Sequence, residues 1–198
     1  MRPIPDEMAV KVMAAAALFA ERGLDGATMS DIAGATGIPR ATLYYHFDGK
    51  EAVFACMCDR VFGEFEEAVA AALSGPGAAA ERLGRVVRAQ LACYAAHPAA
   101  FLAIHLDLGR AVRRAEIGER AARAYLRPVA KLLEEGAADG SIRPVANPRA
   151  VAAALLGAVA SAAALIPGGG QPVTDLHEAM MLLVHSLDAR SAAPARQG

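Results

Sequence analysis

Within residues 1–50 the helical pattern is cut three times, at Gly23, at Gly37-Ile38-Pro39 and at Asp48-Gly49. Glycine supplies the positive φ that ends a helix, and proline presets the φ that starts the next one. The segments between these cuts are short, and helices below about 12–15 residues are marginal on their own in water. They must therefore bury their apolar faces against one another. Strands offer no alternative partner, because no tract alternates β-branched or aromatic residues. The hydrophobic fraction is 55%, much of it alanine, the best helix former. An all-α fold follows, with cores of Ala, Leu and Val, since tryptophan is absent and aromatics make up 5%.

The spacing predicts a first helix over Asp6–Arg22. Met8, Val12, Ala15 and Phe19 share one face, Asp6 and Glu7 suit the positive end of the dipole, and Gly23 caps the other end. A second helix starts after Thr28, whose hydroxyl can cap it, with Asp31 three residues on as a short-armed capping box. The third, Arg40 to about Phe47, is anchored by Leu43 and Phe47. Further helices are expected over Lys50–Leu73, Ala79–Ala96, Pro98–Leu108, Val112–Gly136, Pro148–Ile166 and Val173–Ala189. Asn147 caps the helix that begins with Pro148. The expected domains are 1–49, three helices with a helix-turn-helix, and 50–189, a larger helical part. Residues 190–198 form a small, polar tail expected to fray.

The formal net charge is −1, which gives no global attraction for nucleic acid. Asp6 and Glu7 stand where a leader's apolar core would be needed. The three cysteines, Cys56, Cys58 and Cys93, show no disulfide-like spacing. Both features favour a reducing cytoplasm. Cys56 and Cys58 point about 200° apart on a helix, which fits free buried thiols better than metal ligands. His177 and His185 lack a carboxylate or thiol at ligand spacing, so no metal is expected. Ala150–Ile166 is nearly all apolar, but its alanine content fits a buried helix rather than a membrane span.

In a helix-turn-helix the second helix of the pair enters the DNA major groove. Here that helix is Arg40-Ala41-Thr42-Leu43-Tyr44-Tyr45. Leu43 and Phe47 face inward, which leaves Arg40, Ala41, Thr42, Tyr44, Tyr45 and His46 for the outside. Arg40 can donate two hydrogen bonds to guanine, and Thr42 offers a hydroxyl and a methyl. Tyr44, His46 and Lys50 can donate to phosphate. Tyr44 and His46 could instead pack at a domain junction.

The stretch LFAERGLDGATMSDIAGATGIPRATLYYHFDGKEAVF resembles the DNA-binding domain of tetracycline-repressor (TetR) family transcription regulators. The resemblance covers Val12 to Phe54. It implies a phosphate contact at Thr28 and groove-facing roles for Arg40, Ala41, Thr42 and Tyr45. It implies backbone contacts at Tyr44 and His46 and a phosphate contact at Lys50. Two features depart from the pattern. Pro39 stands where Ser or Thr is common. Residues 1–50 carry five Lys/Arg against six Asp/Glu, net −1.

The helix from Pro148 is apolar nearly all round. Ala150, Ala153, Ala154, Gly157, Ala160, Ser161 and Ala164 permit close approach, and Leu155, Leu156, Val159 and Leu165 supply bulk. Leu176, Met180, Leu183 and Leu187 of the last helix can cover one side, and a second copy of the chain the other, as a four-helix bundle. The resemblance favours that homodimer over burial within one subunit. The whole then reads as a ligand-responsive DNA-binding regulator, a repressor released from operator DNA by an apolar or amphipathic small-molecule effector. The proposed effector pocket draws on Cys56, Met57, Tyr94, Phe101, His105 and Tyr125. His97 and His105 could equally be core or surface residues. The arginine-rich run from Arg110 to Arg127 reads as a solvated face with pairs such as Glu116–Arg120 and Glu119–Arg123. No cofactor is expected. An enzyme would need a nucleophile and base at recognisable spacing, a phosphate loop or a metal signature, and the sequence offers none. A helical ligand-binding module that has lost DNA binding stays open.

Overall fold

The structure, a computed structural model, describes residues 4–107, 118–165 and 171–189. The helices among them are α1 (Asp6–Val12), α2 (Ala16–Gly26), α3 (Met29–Thr36), α4 (Arg40–His46), α5 (Lys50–Ser74), α6 (Ala79–Ala96), α7 (Pro98–Asp107), α8 (Arg127–Asp139), α9 (Pro148–Leu165) and α10 (Gln171–Leu187). The described residues hold no strand beyond an isolated antiparallel bridge between Ile142 and Asp188. The all-α expectation therefore holds. The start of the helix predicted from Val112, the pair Glu116–Arg120 at its Glu116 end, His177, Leu176 and the tail from Arg190 lie outside the described residues or side chains.

The chain forms two compact units, the described parts of Met1–Glu64 with His97–Arg114, and of Phe65–Ala96 with Ala115–Gly198. The first unit thus includes α7, which packs on α2, in addition to the first four helices and the start of α5. This differs from a cut in chain order at residue 49. Sequence proximity cannot reveal that a later helix returns to an early one.

In the first unit the expected first helix is α1 and α2, joined by a 3₁₀ turn at Met13–Ala15. Gly23 (φ 67°, ψ 171°) interrupts α2, so the regular run ends at Arg22 as expected. Val12, Ala15, Phe19, Ile32, Leu43, Phe47, Val53 and Phe54 form the core. Phe19 and Phe54 meet edge to face at 5.1 Å, an arrangement aromatic pairs favour. This contact packs the start of α5 against α2. His97 Nε2 lies 2.6 Å from Glu64 Oε2, and Arg60 Nε lies 3.3 Å from the other carboxylate oxygen. His97 is thus engaged in a polar contact.

The second unit packs α6 against α8, α9 and α10. Leu83, Val86, Val87, Val129, Leu132, Leu133, Leu155, Val159 and Met180 are buried there. Gly136 marks a close approach: a Cβ on it would lie 2.6 Å from Ile142 Cδ1 and 2.9 Å from Ala79 Cβ. A π-helical turn at Ala122–Leu126 precedes α8, and periodicity at 3.6 residues gives no warning of it. Arg120 pairs with Glu66 at 2.6 Å and Glu119 with Arg127 at 2.8 Å. The expected Glu119–Arg123 pair is replaced by this longer reach, since the π-turn shifts the register of the following residues.

Within the single subunit α9 buries one side, and the side expected to meet a second copy stands open. Ala150, Ala153, Ala154, Gly157 and Ser161 are exposed along one stripe, while Ala152, Leu155 and Val159 are buried. On α10, Met180 and Val184 are buried, but Leu183 is 51% exposed and Leu182 72%. Leu183 therefore does not cover α9 within the subunit. The four-residue step from Met180 to Val184 keeps both on the inner face, and Leu183 turns away from it. Among the described residues, no helix is long and apolar enough to cross a membrane.

Candidate nucleic-acid interface

The interface begins with the cap of α3. Thr28 accepts a hydrogen bond from Asp31 N at 3.2 Å, and Asp31 Oδ2 accepts from Thr28 N at 3.0 Å and from its hydroxyl at 2.6 Å. This is the predicted capping box. The Thr28 hydrogen bonds hold the Asp31 carboxyl below the usual aspartate range, with Arg22, 3.2 Å away, acting in the same direction. The box is intact above that range and is lost as pH falls below it. Because the Thr28 hydroxyl donates to Asp31, it reaches outward only as an acceptor. α3 ends at Gly37, which is left-handed (φ 67°, ψ 11°), as the turn requires.

Ile38 is buried and Pro39 sets the first turn of α4 without a side-chain cap. Leu43 is 0% exposed and Phe47 1%, so they fix the rotation of α4 about its axis. That rotation presents Arg40 and Ala41 to solvent, with Tyr44 at 52% and Tyr45 at 61% exposure. Thr42 and His46 are half-buried. The Arg40 guanidinium carbon sits 5.5 Å from the centre of the Tyr44 ring, and one terminal nitrogen is 3.5 Å from the Tyr44 hydroxyl. Tyr45 and His46 meet edge to face at 4.9 Å, and His46 Nδ1 is buried with no hydrogen-bond partner among the described residues.

Lys50 is the residue whose local role sequence reasoning missed. Its ammonium donates to Asp25 O at 2.8 Å and to Ala27 O at 3.1 Å. It thereby closes the loop between α2 and α3 and ties the start of α5 to it. No sequence signal could have announced this, because the partners are main-chain carbonyls 25 and 23 residues away. Elsewhere Lys11 pairs with Glu7 at 2.7 Å and Arg22 with Asp31 at 3.2 Å. Among the described cations of residues 4–50, Arg40 alone has neither a carboxylate nor a main-chain partner.

The expected effector residues fall in both units. Cys56, Met57, Phe101 and His105 belong to the first. There Met57 and Phe101 are buried, Cys56 is half-buried with its thiol pushed up by burial, and His105 is exposed. Tyr94 and Tyr125 belong to the second. The wholly buried Tyr125 donates to Gln90 Oε1 at 2.9 Å, and Gln90 Nε2 donates to Leu156 O at 3.1 Å. Phe65 stacks on the Tyr125 ring at 6.0 Å. Burial raises the Tyr94 hydroxyl to about 12 and lifts Tyr125 as well, with Tyr94 adding to the second effect. Gln90 was absent from the expected set, since a lone glutamine on a helix carries no sequence signature. An open groove of about 450 Å³ in the second unit is lined by Gly84, Arg85, Arg88, Met181 and His185, and none of the six expected residues lines it.

Comparison with known proteins assigns this arrangement to a family. Residues 12–57 match the model for bacterial regulatory proteins of the tetR family. Residues 76–185 match the model for the tetracyclin repressor-like C-terminal domain. The chain is 48% identical over 63 residues to the HTH-type transcriptional repressor KstR2 of Rhodococcus jostii, a match covering 30% of this chain and 31% of that protein. It is 42% identical over 48 residues to the biofilm operon regulator IcaR of Staphylococcus epidermidis, covering 24% and 26%. These matches thus span about a third or less of the curated relatives. Among solved structures, the ketosteroid regulator KstR2 of Mycobacterium tuberculosis superposes with TM-score 0.79 at 21% identity, covering 94% of this chain and 97% of that one. AibR in complex with isovaleryl coenzyme A and operator DNA gives 0.74 at 24%, covering 91% and 97%. Both show the same fold. With its capped helix-turn-helix and its C-terminal helices each matched by their own model, the chain belongs to the TetR family of bacterial regulatory proteins.

Proposed function

We propose that the chain is a homodimeric repressor that releases its operator when a small amphipathic molecule binds. The observation that carries the DNA reading is the outer side of α4, where Arg40, Ala41, Tyr44 and Tyr45 stand in solvent above the buried Leu43 and Phe47. Rings with polar tips suit a wet, charged groove. Tyr44 and His46 are assigned to the DNA backbone, the latter through Nε2, and Thr42 and Tyr45 to the groove. Lys50 keeps one ammonium hydrogen for a phosphate after its two main-chain bonds. At Thr28 the N–H groups opening α3 take over the phosphate contact, because the hydroxyl hydrogen is engaged.

Dimerisation is assigned to α9 and α10, whose exposed small-residue stripe and exposed leucines would be covered by a second copy. Two α4 helices about 34–36 Å apart would then read a pseudo-palindrome. Of the expected effector residues, Tyr94 and Tyr125 of the second unit are assigned to effector binding, the first half-buried and the second wholly buried. Acyl-CoA thioesters are the first class to test, since AibR was solved with isovaleryl-CoA and Bacillus subtilis FadR with stearoyl-CoA. α5 begins in the first unit and ends in the second, and at 1.5 Å per residue it is roughly 37 Å long. A small tilt at its effector end would displace α4. Release requires that the effector prefer the tilted state. A DNA target places the protein in the cytoplasm, and its role is regulatory rather than enzymatic.

A gel shift with the DNA upstream of the protein's own gene tests this reading. We expect a retarded band that is weakened by Arg40→Ala and dissolved by an active acyl-CoA. Absence of any band with the wild-type protein contradicts it. The engagement of Lys11, Arg22 and Lys50 favours a second reading, a ligand-binding module without DNA affinity, and the same gel separates the two.

A further inference from the structure

We propose that Tyr44 is a positioning residue that holds Arg40 for a guanine, so that each operator half-site carries one G·C pair read by Arg40. The inference rests on the DNA-binding reading above and adds a base identity and a division of labour on α4. Arg40 is the first residue of α4, and the N-terminal residues of a recognition helix are those that meet base edges. An arginine there that was held by a carboxylate would have to break an ion pair to reach DNA. Arg40 is held instead by a ring. Its guanidinium carbon is 5.5 Å from the Tyr44 centroid, one helical turn along the same exposed face.

Attraction of the guanidinium to the ring's π-face consumes no N–H donor in a hydrogen bond. Among the described residues, the guanidinium's one hydrogen bond is the 3.5 Å approach to the Tyr44 hydroxyl, at the long limit and easily exchanged. The ring therefore restrains the long side chain without consuming the fork that matches O6 and N7 of guanine. Lysine at this position could not substitute, because an ammonium presents no planar pair of donors. The charge inventory points the same way. The other described cations of residues 4–50 are engaged by Glu7, by Asp31 and by the carbonyls of Asp25 and Ala27. With so few cations available to phosphates, discrimination must come mainly from directed contacts at base edges, and Arg40 is the residue equipped to make one.

The roles of Tyr44 separate experimentally. A phosphate contact weakens binding to all sequences alike, whereas positioning of Arg40 alters the ratio between sequences. The experiment selects binding sites from a random duplex library with the full-length wild-type protein. It then measures affinities for the selected site and for the same site with each G·C pair changed to A·T. One G·C pair per half-site is expected to give a loss of about 5- to 150-fold, the range of a bidentate pair. Arg40→Ala and Arg40→Lys should abolish that preference. Tyr44→Ala should reduce it by about 2- to 5-fold, the range of an exposed cation–π contact. Tyr44→Phe should keep the preference and lower affinity for all sequences alike. Replacing that guanine by 7-deazaguanine, which lacks N7, tests wild-type protein directly and should weaken binding by about 2- to 12-fold, half the free energy of the bidentate pair.

An unchanged preference in Arg40→Ala, or unchanged affinity for the 7-deazaguanine site, overturns the guanine assignment. An unchanged ratio in Tyr44→Ala, or a ratio in Tyr44→Phe as low as in Tyr44→Ala, overturns the positioning role. If no sequence is enriched at all, DNA binding itself fails and the proposal with it.

Discussion

The outer side of α4 and the outer sides of α9 and α10 both hold large or apolar surface in solvent, yet their chemistry differs. On α4 the exposed groups are Tyr44 and Tyr45, each ending in a hydroxyl, beside the guanidinium of Arg40. On α9 and α10 they are alanines, Gly157 and the hydrocarbon of Leu182 and Leu183. The first set keeps polar atoms that can trade water for phosphate or base edges. The second, apart from a few polar groups such as Ser161, offers mainly area, and apolar area is recovered against another apolar surface. Exposure alone therefore does not name a partner; the polar atoms left at the tips do.

The comparison breaks most sharply at the leucines. Leu182→Glu with Leu183→Glu should put two carboxylates into the proposed subunit interface and yield monomers in sedimentation. A monomer loses the linkage between half-sites, so operator affinity should fall by about 100-fold or more. Dimers of unchanged stability would remove the distinction between the two surfaces.

A second, smaller effect lies inside the second unit. Tyr94, at about 12, and Tyr125 are both raised above the ordinary tyrosine value by burial. Their contribution is complete below pH ~10, where the unfolded chain also keeps its protons, and is lost as pH climbs through their folded values. Stability measured by urea unfolding should thus decline between about pH 10 and 12, and Tyr94→Phe should flatten that decline. A pH-independent midpoint would show that the rings are hydrated, more like those of α4.

Gly136→Ala sharpens the contrast between packed and open surface. Its Cβ would meet Ile142 Cδ1 at 2.6 Å, and overpacking of this kind costs about 1–3 kcal/mol. The shift should be visible in thermal unfolding, with DNA specificity unchanged. The smallest effect is expected at the interface's own scaffold. Thr28→Ala removes the side-chain half of the capping box and should cost about 1 kcal/mol in stability. Operator affinity should fall by less than in Arg40→Ala.

The sequence made local features plain and distant ones obscure. Gly23, the Thr28–Asp31 box, Gly37 and the Leu43–Phe47 anchor are all settled within a few residues, so their chemistry could be read directly. Tyr44 and Tyr45 were placed outside for the same reason, since two inward positions fix the rotation of a short helix. Lys50 escaped because its partners are carbonyls brought near by folding. Leu183 escaped because α10 carries apolar residues both inward, at Met180 and Val184, and outward, at Leu182 and Leu183, and periodicity alone does not say which face meets the core. The π-turn near Tyr125 and the grouping of α7 with the first unit depend on tertiary packing that overrides local preference. The effector set was the least legible part. Buried tyrosines and a glutamine serve a core and a pocket equally well until a ligand is seen.

The claim on which the account depends is that a DNA groove receives the outer side of α4. Hydroxyl-radical footprinting of the protein, read by mass spectrometry with and without saturating selected duplex, tests it directly. The account predicts that Tyr44 and Tyr45, now 52% and 61% exposed, become strongly protected while Val10, 53% exposed on α1, stays reactive. Equal oxidation of the two tyrosines in the free and DNA-bound protein would contradict it.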